Sequence, residues 1–109
     1  LIREIRAGDI TEKVSSLFQE ACYHLPKDVM AALNRAKGME DSPVARSVLS
    51  MILENAEISA RGEIPLCQDT SMAVLFLESG QEVYIVGGDL RTAVNEGVRQ
   101  GCDRGIWAN

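Results

Sequence analysis

The run MAVLFLESGQEVYIV, residues 72–86, decides the fold class, because the hydrophobic period changes there. Residues 72–77 are continuously apolar, residues 82–86 form a second short run, and Ser79-Gly80 lies between them. Two such runs flanking a turn pair predict a β-hairpin whose first strand is buried on both faces. Everything upstream repeats with a helical period instead. Asp9-Ile-Thr-Glu12 reads as a capping box, followed by Ile10, Val14, Leu17, Phe18, Ala21 and Leu25 on one stripe to about Leu25. Pro26 suits the first turn of a second helix that Gly38 would stop. Ser42-Pro43 opens a third and longest helix of about 18 residues, ended by Gly62. Downstream of the hairpin, Asp89 caps a last helix bearing Leu90, Ala93, Val94 and Val98. The expected fold is α+β: three helices, a hairpin and a C-terminal helix, in one domain over residues 1–109 that belongs to something larger.

Bulk properties narrow the function. The chain has 109 residues, 46% hydrophobic and 25% charged, with only 5% aromatic, so it can build a core but one short of large anchors. A net charge of −5 without a basic run argues against nucleic acid or an anionic membrane as partner. No apolar stretch has the length of a membrane span, and LIREIRAGDI lacks a signal-peptide core. The first residue is Leu, so residues upstream are expected. Three widely spaced cysteines, Cys22, Cys67 and Cys102, with no CxxC pair, fit a reducing, cytoplasmic setting better than a disulfide framework.

Three glycines in the last helix, Gly97, Gly101 and Gly105, recur every four residues. Each costs up to about 1 kcal/mol relative to alanine in a helix interior. Either that end frays, or the glycines form a smooth face for another backbone or subunit. A homo-oligomer built on that helix or on the hairpin edge is the expectation, with Gly101→Leu weakening it where that helix is the contact.

The chemistry concentrates in PLCQDT, residues 65–70, where a thiol, an amide, a carboxylate and a hydroxyl follow one another in a connecting loop. Taken alone, Cys67 reads equally well as a small buried hydrophobe. With ENAEISARGEI before it and GGDL and AVNEGVR after it, the loop resembles the amino-terminal part of class I fumarate hydratases. It is also similar to the related L-tartrate dehydratase α subunits, with NEGVRQG nearer the fumarase form.

That resemblance implies a hydro-lyase converting fumarate reversibly to malate, or acting on a related dicarboxylate such as tartrate. It implies a [4Fe–4S] cluster with Cys67 as one ligand and the remaining ligands outside this segment. Gln68 would contact the small dicarboxylate substrate, and Asp69 would serve as both a substrate-binding and a catalytic group; Thr70 would support them. It also implies a partner, either the remainder of the enzyme or a β-type subunit. Cys22, on the apolar stripe of the first helix, and Cys102, among the glycines, are expected to be buried structural residues. His24 is expected at the surface or a helix end. Ser71 stands where the family has glycine, and Ala108 aligns with a substrate-binding arginine; both departures favour the alternative of a non-catalytic assembly or remnant domain. A thiol redox sensor ranks last, because no Lys, Arg or His adjoins Cys67 in sequence to stabilise a thiolate.

Overall fold

A computed structural model describes residues 1–62, 64–67 and 72–103. The elements are β1 (Arg3–Arg6), α1 (Ala7–Tyr23), α2 (Lys27–Met39), α3 (Pro43–Ala60), β2 (Val83–Val86) and α4 (Leu90–Gly101). The α+β class and all four helices are as the periodicity predicts. The described residues divide into two compact units, one within Leu1–Glu20 and Asp69–Asn109, the other within Ala21–Gln68.

Helix ends follow local chemistry. The Ser42 hydroxyl accepts from the Ala45 N–H (3.4 Å), and Pro43 occupies the first turn, where its missing N–H costs nothing. At the other end Gly62 adopts φ +79°, and its N–H closes on the Ser59 carbonyl at 2.8 Å. Asp89 caps α4 by accepting from both the N–H and the hydroxyl of Thr92, each at 3.0 Å. Two expected signals are not realised. Asp9 is not an N-cap: β1 runs straight into α1, which starts at Ala7 and leaves Asp9 in its first turn. There its charge still suits the positive end of the helix dipole. Gly38 does not stop α2 either; the helix continues to Met39 and ends where Glu40 turns extended (φ −77°, ψ 128°).

In the first unit β1 and β2 form a two-stranded parallel sheet with Arg3 opposite Val83 and Arg6 opposite Val86. The hairpin is therefore corrected: β2 exists, but its ladder partner is the N-terminal strand. Residues 72–80 carry no strand, and Val74, Phe76 and Met72 are 67%, 97% and 86% exposed. The expectation of a strand buried on both faces fails because an isolated hairpin is marginal in water and β2 already has its neighbour. Replacing Val74 or Phe76 by Asp in this chain should accordingly change stability by no more than about 0.5 kcal/mol, the norm for exposed positions. Thermal melts losing several kcal/mol would return these side chains to a core.

The same unit sets α4 against α1. Ala93, Gly97 and Gly101, one turn apart, are its buried residues, and the Thr11 hydroxyl of α1 donates to the Ala93 carbonyl at 2.8 Å. A Cβ on Gly97 would lie 2.7 Å from the Thr11 carbonyl and 2.7 Å from the Val14 Cβ. At Gly101 it would meet the Ser15 carbonyl and the Phe18 ring at 3.1 Å. The glycine face at these two positions thus admits another backbone, as one of the two readings of the spacing had it, and that backbone is this chain's own α1. Gly105 lies outside the described residues.

In the second unit α2 packs on α3. Only the C-terminal half of the α3 stripe is closed. Ala56 and Ser59 are buried, whereas Val44, Val48, Met51 and Ile52 stay exposed. A groove of about 380 Å³ in the first unit is lined by Ile5, Ile85, Ile10, Leu77 and Leu90 among others.

Candidate functional site

The loop that follows α3 carries the candidate site. After Gly62 the chain passes Ile64, Pro65 and Leu66 to Cys67, and Cys67 is exposed. Leu66, immediately before it, is held on both sides. Its N–H donates to the Cys22 carbonyl near the end of α1 at 2.8 Å. Its carbonyl accepts from Asn55 Nδ2 on α3 at 3.0 Å. Two helices therefore place the residue that leads into the thiol. One turn beyond Asn55, the Ser59 hydroxyl is fully buried with no hydrogen-bond partner among the described residues.

Of the predicted site residues, Cys67 is described, and it lies at the surface. Gln68 and Asp69, with Thr70, Ser71 and Ala108, lie outside the described residues. Cys22 and Cys102 are half-buried, less enclosed than the expected structural cysteines. His24 is exposed, as expected. Among the described residues no three His, Cys, Asp or Glu side chains gather as a metal site. A single exposed soft thiol suits one ligand of an iron–sulfur cluster, and the described residues do not supply the others.

Sequence reasoning passed over Asn55 and the end of α1. Asparagine is a poor choice for a helix interior unless its side chain bonds elsewhere, and that is the signal that marks Asn55.

A second polar cluster lies on α4. Arg99 grips Glu96 in a bidentate pair (2.6 and 2.9 Å) and reaches Asp103 at 2.6 Å, while Gln100 donates to Glu96 at 3.0 Å. The Arg99 hydrogen bonds, then that of Gln100, lower the Glu96 carboxyl from its ordinary 4.5 to about 2. The sign follows from linkage. A carboxylate depressed in the folded state adds stability that is present above pH 4.5 and lost as pH falls through about 2. Because the group is solvent-accessible, a nuclear magnetic resonance titration reads it better than stability does. Its midpoint should rise in Arg99→Gln, and an unchanged midpoint would contradict the pairing.

Comparison with known proteins places this geometry in context. The profile of the family Fumarate hydratase (Fumerase) matches residues 11–107. A protein of Methanocaldococcus jannaschii assigned as L(+)-tartrate dehydratase subunit alpha is 39% identical over 74 residues, covering 68% of this chain and 26% of its own length. The anaerobic class I fumarate hydratase of Escherichia coli K12 is 32% identical over 95 residues, 84% of this chain and 17% of that protein. The aerobic class I fumarate hydratase of Salmonella typhimurium is 41% identical over 89 residues, 81% of this chain and 15% of that protein. The match thus spans about a quarter or less of these relatives.

Proposed function

Because the chain belongs to the fumarate hydratase (Fumerase) family, we propose that it is the amino-terminal part of an iron–sulfur hydro-lyase that hydrates fumarate reversibly to malate. The observation that carries this reading is Cys67, an exposed thiol at the head of Gln68-Asp69, positioned by two helices. A [4Fe–4S] cluster with one iron open would supply a Lewis acid for a substrate hydroxyl and carboxylate. Cys67 is the residue of this chain that would hold it, with the other ligands elsewhere in the protein. The Gln68 amide would donate to a substrate carboxylate. Asp69 would bind the substrate and take or orient a proton at its hydroxyl. A related dicarboxylate such as tartrate fits the same groups.

The partners follow from the same reading. One of the relatives is named as an alpha subunit, which favours a β-type subunit or a further segment as the supplier of the missing ligands. The uncovered apolar side chains of α3 and residues 72–77 suit burial against that remainder or in a homo-oligomer. No described helix is long and apolar enough to cross a membrane, and a cytoplasmic location accords with the oxygen sensitivity such a cluster would have.

The test uses the whole protein purified anaerobically, with iron and sulfide quantified and the ultraviolet absorbance of fumarate followed over time. About four irons per chain and fumarate consumption are expected, with tartrate as the second substrate. Protein that binds no iron and turns over neither acid would leave the non-catalytic assembly domain as the better description.

A further inference from the structure

The strongest unassigned feature is the double grip on Leu66. Its N–H is held by the Cys22 carbonyl at 2.8 Å, and its carbonyl by Asn55 Nδ2 at 3.0 Å, from eleven residues upstream. A connecting loop ordinarily gives such groups to water. The Leu66 carbonyl and the Cys67 nitrogen belong to one planar peptide unit. Holding that oxygen therefore fixes the plane from which the Cys67 Cα departs. The bond to Cys22 fixes the preceding plane as well. The two peptide planes thus set the point and direction from which the Cys67 side chain leaves the loop.

We propose that Asn55 is a positioning residue that aims the Cys67 thiol, acting through the Leu66 peptide. The proposal rests on the reading of Cys67 as a cluster ligand. The side-chain chemistry is restrictive. Aspartate at position 55 would turn a donor into an acceptor facing another acceptor, and glutamine would overshoot by one methylene. Alanine would leave the Leu66 carbonyl to water and the peptide plane free to rotate. Asn55 is only half-buried, so its loss should show in the loop before it shows in the fold.

The experiment uses the whole protein in three arms. In the wild type, hydrogen exchange should find the Leu66 amide slowed about tenfold or more relative to an open loop. An unprotected amide there overturns the proposal without any variant. In metal-free protein, Asn55→Asp and Asn55→Ala should speed both that exchange and the alkylation of Cys67 by iodoacetamide, with Cys102 alkylation as the internal standard. A melting temperature that falls while Cys67 in the folded fraction reacts as before would make Asn55 merely structural, which also overturns the proposal. In iron-loaded protein the variants should lose iron affinity about ten- to a hundredfold and shift the electron paramagnetic resonance signal of the reduced cluster. A wild type that takes up no iron would defeat the proposed function, yet the exchange and alkylation arms would still decide the role of Asn55.

Discussion

Gly97→Ala is expected to destabilise this chain by about 2 kcal/mol, although alanine is the better helix former. The propensity gain is about 1 kcal/mol. Against it, the new methyl would sit 2.7 Å from the Thr11 carbonyl, 2.7 Å from the Val14 Cβ and 2.8 Å from its Cγ1. Two of those three atoms are backbone or Cβ, which no rotamer change can move aside. Overpacking of this kind costs about 1–3 kcal/mol. Any retreat of α1 also stretches the Thr11–Ala93 hydrogen bond (2.8 Å), worth about 1 kcal/mol. The opposing terms leave a net loss near 2 kcal/mol, and Gly97→Leu should prevent folding. Gly38→Ala is the control. Nothing lies within 4 Å of its added Cβ, so the same substitution should stabilise by about 0.5–1 kcal/mol. Urea titrations decide between them: if Gly97→Ala gains as much as Gly38→Ala, the α1–α4 contact does not exist as described. Gly101→Leu should likewise act on the fold and not on association, since its neighbours Ser15 and Phe18 belong to the same chain.

The contrast between these glycines shows what a sequence can carry. Ser42-Pro43, Gly62 and Asp89 announced their helix ends correctly because capping is settled within four residues. The four-residue glycine spacing likewise announced a close approach, but spacing holds no information on whose backbone arrives. Strand β1 was missed for a related reason. REIR is short and three-quarters charged, and it becomes a strand only through Val83–Val86, some eighty residues away. The apolar run at 72–77 misled in the opposite direction, since composition suggested burial where the described residues offer no covering layer. At the site, the thiol stood out because its neighbours are chemically conspicuous. Asn55 did not, because its role is a side-chain-to-backbone bond across a loop, which periodicity cannot register.

Under the proposed function, Cys67→Ala is expected to remove fumarate hydration and cluster binding in the whole protein while leaving the fold intact. Loss of a direct ligand should exceed the ten- to hundredfold effect typical of outer-shell partners. An exposed loop side chain, by contrast, changes stability by no more than about 0.5 kcal/mol. The other two cysteines discriminate between a specific ligand and a general need for thiols. Cys22→Ala keeps the main-chain carbonyl that accepts from Leu66, so the loop should remain in place and activity with it. Cys102→Ala changes a half-buried residue at the end of α4, where a small apolar side chain replaces another. Iron content, turnover and melting temperature measured on all three variants separate the possibilities. Equal loss of iron in Cys22→Ala and Cys102→Ala would mean that the three thiols of this chain share one cluster. In that case the ligands would not need to come from beyond it. Full activity in Cys67→Ala would instead remove the loop from the chemistry, and leave its conspicuous residues serving assembly alone.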